Sequence, residues 1–337
     1  MLTVILADQE GKLDEAARTG ALALAVTSRL PSEVALATSA ELAMTLVDAG
    51  KGRFAEGLTR VERVLALREK TFGPDDYWVG MALSERANQL LHLGRLEEAL
   101  ADWQKTAAIF ERTLGAHHPQ LAIGLRNVAV AETALRRLPD AQRDMRRARD
   151  VFREAYGDAY PYLPALDADI AEILDLEGRL PEAKEEIDRA LAGAAARHPP
   201  DRILIEILDI AGAIDTELGR FDEAMAVLTR ALHLGAPLQE STETLTRLGA
   251  LHLAMGHPEK ALDPLEQAVS MRRTAGMDPL QVAAAEILLG RALWSKESAR
   301  PSAVSLVTGA RDAFARSPAR AADRIEAEKW LAGHGGR

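Results

Sequence analysis

The sequence predicts an all-α fold, a right-handed superhelical solenoid of antiparallel helix pairs, and three observations predict it. Ala and Leu dominate while aromatic residues make up only 4%, a composition that favours helices over sheets. A short turn phrase returns at intervals near 42 residues, and self-similarity at a period of that size marks a repeat architecture. A second phrase, rich in Gly and Pro, marks the junctions between units.

The turn phrase is Gly, a basic residue, a bulky apolar residue, two mostly polar or Pro residues, then Ala. It opens as Gly11-Lys12-Leu13-Asp14-Glu15-Ala16, followed by Gly52-Arg53-Phe54-Ala55-Glu56-Gly57 and Gly94-Arg95-Leu96-Glu97-Glu98-Ala99. Arg136 replaces Gly ahead of Arg137-Leu138-Pro139-Asp140-Ala141. The later copies are Gly178-Arg179-Leu180-Pro181-Glu182-Ala183, Gly219-Arg220-Phe221-Asp222-Glu223-Ala224 and the looser Gly256-His257-Pro258-Glu259-Lys260-Ala261. Their final positions are spaced 41, 42, 42, 42, 41 and 37, and a degenerate copy ending at Ala303 adds another 42.

Physically the phrase is a turn between two antiparallel helices. Gly takes the left-handed conformation that closes the first helix, and polar or Pro residues open the second. The Ala is small because the paired helices cross closely there. Each second helix then carries one buried stripe, such as Ala99, Trp103, Thr106 and Ile109, or Ala224, Leu228, Ala231 and Leu234. First helices carry a matching small residue, as in Asn127-Val128-Ala129, Asp169-Ile170-Ala171 and Arg247-Leu248-Gly249. The junction phrase appears as Gly73-Pro74-Asp75, Gly115-Ala116-His117-His118-Pro119 and Gly157-Asp158-Ala159-Tyr160-Pro161. Each unit is a helix, a tight turn, a helix and a junction.

Composition excludes whole classes of function. A net charge of −10 argues against a general nucleic-acid binder. Cysteine is absent, which removes disulfides, thiolate nucleophiles and Cys-ligated zinc. The opening residues Met1 to Asp8 lack the basic region and long apolar core of a signal peptide, and no run nears the roughly 18 apolar residues that span a bilayer. A cytoplasmic protein without membrane contact is the expectation.

These residues resemble the tetratricopeptide repeat (TPR), with its small residues at the helix crossing and its Gly-containing turn. The period near 42, the Leu114-Gly115-Ala116-His117-His118-Pro119 junction and the Gly-Arg-Leu-Glu-Glu-Ala-Leu turn are similar to the long, kinesin-light-chain type. The resemblance implies one array over 1–337, with turns near 11, 52, 94, 136, 178, 219, 256 and 298 and a capping helix over 315–337. Ile287 to Trp294, Ala310 to Phe314 and Ile325 to Ala332 look like the close of TPR arrays attached to bacterial Ser/Thr protein kinases. No kinase motif is present in this chain.

No constellation reads as catalytic. Eight histidines include no pair with His-x₃-His or His-Glu-x-x-His spacing, and His117 and His118 are neighbours in a junction. No metal and no cofactor are expected. The run Arg136, Arg137, Arg143, Arg146, Arg147, Arg149 and Arg153 is interleaved with Asp140, Asp144 and Asp150, which predicts internal pairing on a solvated helix. Tyr156, Tyr160 and Tyr162 are expected to pack a junction, and Trp103 to sit in the core.

What remains is the inner wall formed by the first helices. By register the residues off the core stripe are Met81, Ser84, Asn88, Leu91 and His92; Arg126, Val130 and Thr133; Ala168, Glu172 and Asp175; Glu206, Asp209 and Thr216; Thr246, Ala250 and Leu253. The resemblance implies that a peptide lies along this wall and that Asn127 contacts its backbone. The acidic middle, Glu172, Asp175, Glu206 and Asp209, would complement a basic peptide. The sequence thus reads as a non-enzymatic scaffold that binds a protein or peptide in bacterial signalling or complex assembly. The rival reading is the substrate-recruiting, non-catalytic part of a larger enzyme. Self-association into a homodimer through the end helices is a third.

Overall fold

The computed structural model describes residues 12–29, 33–235, 238–274, 277, 279–317 and 320–334. Among them are sixteen α-helices, one 3-10 turn at Glu297–Ala299 and no strand. Contacts divide the chain into two compact units, residues 1–155 and 156–337.

The first unit holds α1 (Leu13–Thr27), α2 (Val34–Gly50), α3 (Phe54–Phe72), α4 (Tyr77–His92), α5 (Leu96–Leu114), α6 (Pro119–Ala134) and α7 (Leu138–Tyr156, whose last residue opens the second unit). The second holds α8 (Leu163–Leu176), α9 (Leu180–Arg197), α10 (Asp201–Glu217), α11 (Phe221–His233), α12 (Leu238–Ala254), α13 (Pro258–Thr274), α14 (Pro279–Leu293), α15 (Arg300–Ala315) and α16 (Ala321–His334). Helices packed as hairpins are α2 with α3, α4 with α5, α8 with α9, α10 with α11, α12 with α13, and α14 with α15. In the second unit the first helices also touch one another in succession, α8 to α10 to α12 to α14. Helix α16 lies within 315–337, the span expected to cap the array, while the turn at Gly11 lies outside the described residues.

The repeated turn has one backbone solution. Gly52, Gly94, Gly178, Gly219 and Gly256 all have φ between 71° and 76°, and Arg136 takes the same left-handed region at 59°. The basic residue that follows donates its backbone N–H to the carbonyl five residues back: Arg95 to Leu90 at 2.9 Å, Arg137 to Glu132 at 2.8 Å, Arg220 to Asp215 at 2.8 Å. This pattern satisfies carbonyls that the helix end would otherwise orphan. The turn near 298 is built differently, on the 3-10 turn Glu297–Ala299.

The predicted stripes are buried except at Leu234, which is half-buried. Ala99, Trp103, Thr106 and Ile109 of α5 are all at most 2% exposed, and Ala224, Leu228 and Ala231 of α11 are fully buried. Smallness at the crossing is literal. A Cβ on Gly212 would stand 2.5 Å from the Leu228 side chain, and one on Gly249 would stand 2.3 Å from that of Leu265. Neither distance is tolerable in a close-packed interior.

Candidate functional site

Because α8, α10, α12 and α14 stand side by side, their side chains off the core line a common wall in the second unit. A cavity of about 330 Å³ opens on it, lined by Glu172 from α8, Arg202, Glu206 and Asp209 from α10, Thr242, Glu243 and Arg247 from α12, and Arg272 from α13, with Met277 and Gln281. Arg247 keeps a quarter of its side chain exposed and stands 3.2 Å from Glu243 and 3.7 Å from Glu172. Arg272 is buried; it donates to the Glu243 carboxylate at 2.8 Å and to the Gln281 carbonyl at 2.7 Å.

Asp209 is only 4% exposed, and its Oδ2 accepts from the Thr244 hydroxyl at 2.9 Å. Burial pushes its carboxyl up to about 7, against the pull of that hydrogen bond and of Arg247. Asp175, beside this cluster, is pushed up to about 6 by burial and by Glu217 and Glu172, again against Arg247. Glu172, Glu206 and Asp209 of the expected acidic group are therefore gathered in one cavity, with Asp175 coupled to it. Sequence reasoning missed the arginines, so the wall is of mixed charge and not a plain acidic strip. Register alone also places Ala168 and Thr246 on the wall, yet both are buried, at 1% and 8% exposure.

In the first unit the expected wall residues Ser84, Asn88, Arg126, Asn127 and Thr133 are half-buried. Asn88 donates to Glu85 at 3.2 Å, and the Thr133 hydroxyl donates to the Ala129 carbonyl at 2.8 Å. Glu85 also accepts from Thr45 at 2.6 Å and Gln89 at 2.8 Å, and burial raises its carboxyl above the usual range. Ile123 and Val130 are exposed on the same helix as Arg126, 43% and 36% respectively. This wall is neutral and partly apolar.

The two units share a device that the sequence hid. Arg68 of α3 is fully buried; it donates to Thr38 Oγ1 at 2.8 Å, Ser39 Oγ at 3.1 Å and the Trp78 carbonyl at 2.7 Å, and lies 5.3 Å over the Trp78 ring. Arg272 reaches the same positions, donating to the Thr242 carbonyl at 3.4 Å, the Glu243 carboxylate and the Gln281 carbonyl, and in both cases the first two partners lie 30 and 29 residues back. Burial lowers the Arg68 guanidinium to about 10, partly offset by Tyr77 and Asp76. In the equivalent column of other repeats stand Phe110, Phe152 and Phe314. A cation in an apolar column was the signal to look for.

Other candidates resolve into packing. Arg143 pairs with Asp140 at 2.5 Å and Asp144 at 3.0 Å, Arg153 with Asp150 at 3.1 Å, and Arg147 reaches Glu111 at 2.5 Å. His117 pairs with Glu154, and His118 accepts the Gln120 N–H at 3.1 Å, capping α6. Tyr160 stacks on Tyr156 at 4.5 Å and tilts against Tyr162 at 5.4 Å. Trp103 is 2% exposed. Among the described residues no three His, Cys, Asp or Glu are placed to hold a metal ion, and no helix is long and apolar enough to cross a membrane.

Comparisons with known proteins agree on the fold. Tetratricopeptide repeat families match residues 78–154 and 242–275. Comparison with curated protein sequences finds no match. Among solved structures, a Rap protein complexed with Competence and Sporulation Factor is similar with a TM-score of 0.64 at 14% identity, over 96% of this chain and 95% of that one. The apo quorum sensor NprR from B. thuringiensis gives 0.58 at 16% identity, over 98% and 100%. The nearly identical TPR-like repeats of a kinesin light chain from Podosopora anserina give 0.51 at 18% identity, over 58% and 93%. With the Gly-Arg turns, the small-against-large crossings and these matches together, the chain carries tetratricopeptide repeats, packed as the helix hairpins of kinesin-light-chain-like TPR proteins are.

Proposed function

We propose that the protein is a non-enzymatic interaction module that holds a basic peptide segment of a partner protein along the first-helix wall of residues 156–337. One observation carries the reading: Glu172, Glu206, Asp209 and Glu243, from three successive first helices, converge on one cavity. With Asp175 beside the cavity, five carboxyl groups stand against three guanidiniums, so even with Asp209 and Asp175 partly protonated the wall leans negative, attracts cations and speeds their encounter. The complexed factor of the Rap structure and the naming of NprR as a quorum sensor support a place in bacterial signalling.

Fluorescence anisotropy with labelled peptides of graded charge tests this. Lysine-containing peptides should bind, with affinity falling as salt rises. Glu172→Gln and Glu206→Gln, both half-buried and safe for folding, should each weaken binding by about two- to fivefold, the range for partly exposed charge pairs. Charge reversal at Asp209 is the wrong test, because a buried lysine there would compromise the fold. Equal binding of acidic and basic peptides would sink the reading.

A further inference from the structure

We infer that this cavity receives the free N-terminal residue of a peptide, its ammonium lodged against Asp209 and its first carbonyl oxygen against Arg247. The inference rests on the peptide-holding reading above and sharpens it. It starts from polar atoms that the cavity leaves unanswered. Asp209 is more than nine-tenths buried, yet its Oδ1 accepts no hydrogen bond among the described residues, and Asp175 Oδ1 is in the same condition. On the donor side Arg272 Nε is buried and donates to nothing among the described residues, while Arg247 Nε stands 3.2 Å from Glu243 Oε1 without hydrogen-bond geometry. Arg247 is held by ion pairs at 3.2 and 3.7 Å alone, whereas Arg272 is fixed through its two terminal nitrogens.

Buried donors and acceptors are normally paired, and a half-satisfied network in a cavity is where a ligand gains most. The ligand must therefore bring donors and an acceptor within the span of one residue. A lysine side chain brings donors only, and a carboxylate brings acceptors only. Either would leave one side of the network orphaned. An N-terminal residue brings an ammonium with its carbonyl close by, and its single positive charge suits the carboxylate excess. The volume of about 330 Å³ sits at the small end of ligand cavities, enough for the end of a chain.

Titration calorimetry on the full chain decides it, using tetra-alanine amide with a free amino terminus, the same peptide N-acetylated, and an N-acetylated Ala-Lys-Ala amide. The free peptide should bind at least about tenfold more tightly than its acetylated form, as loss of a charge-assisted hydrogen bond predicts. Asp209→Asn, nearly isosteric and still able to accept from Thr244, should remove that preference; Asp175→Asn should reduce it. Circular dichroism checks that both variants stay folded. Acetylated and free peptide binding alike would overturn the inference and leave the groove reading standing. Binding of the acetylated lysine peptide with none by free tetra-alanine would also overturn it, in favour of a side-chain cation. Silence from all three would overturn it as well, and the anisotropy titration then judges the groove reading separately.

Discussion

Glu132 ends the buried face of α6 with 2% exposure, and one of its carboxylate oxygens has no hydrogen-bond partner among the described residues. Burial first, then Asp144 and Asp140, push its carboxyl from near 4.5 up to about 7. The sign follows from linkage. A folded carboxyl that titrates above its unfolded value favours the protonated form, so its contribution to stability is intact below about 4.5 and is lost as pH rises through about 7. Glu132→Gln should therefore match the parent in thermal melts at pH 4 and exceed it at pH 8, by on the order of 2–3 kcal/mol. Equal melting at both pH values would refute the assignment. At this scale the sequence was legible where periodicity decides, as at Trp103 and Ala224, and illegible where a long side chain does. Arg272 was invisible as a wall residue because its partners lie 29 and 30 residues away. Asp209 was read as surface because register fixes a direction along the helix, and says nothing of how closely α12 covers it.

Among elements, the hairpins built on α2/α3 and α12/α13 share a design, and one difference between them concerns charge. Glu243 gives Arg272 a carboxylate, while Ser39 offers Arg68 only a hydroxyl. Among the described residues the hydrogen bonds of Arg68 go to neutral oxygens alone. A buried cation without a hydrogen-bonded counter-ion is costly, and Asp76 offsets the burial of Arg68 only in part. Ser39→Glu should therefore stabilise the first unit by about 1 kcal/mol, the net scale of a hydrogen bond to a charged group. A rise in the denaturation midpoint with unchanged slope would show it, and a fall would mean that the carboxylate cannot reach. The turns inside hairpins were legible to the residue, since Gly followed by a basic residue announces the left-handed cap. The junctions were only half legible. His198 and Gly235 also end helices with φ of 50° and 70°, but the Gly-led junction phrase of Gly73, Gly115 and Gly157 does not extend to His198, whose Pro199 and Pro200 follow with no Gly ahead of them.

For the whole molecule, spacings of 41 to 42 residues, with one of 37, foretold hairpin after hairpin but gave no sign of the division near residue 155. Composition does not shift there, and the Gly157-Asp158-Ala159-Tyr160-Pro161 junction beside it reads like those at Gly73 and Gly115. In an array each hairpin draws its stability from itself and its neighbours. Ala183, fully buried where α9 crosses its partner, tests this. Ala183→Trp should cost about 3 kcal/mol or more by overpacking. Hydrogen exchange should then accelerate through α8, α9 and α10 while α2 to α5 keep their protection. Uniform loss of protection along the chain would mean a single cooperative block instead.

The buried arginines bear on how such a chain grows. Within its own hairpin Arg68 holds side chains, and Arg272 holds the Glu243 side chain and the Thr242 carbonyl, but each takes hold of the following helix through a main-chain carbonyl, that of Trp78 or Gln281. Every amino acid supplies that oxygen. A duplicated or inserted hairpin placed after residue 72 or 274 would find this clasp ready whatever its own sequence, so lengthening by whole hairpins demands no matched change in the newcomer at that contact.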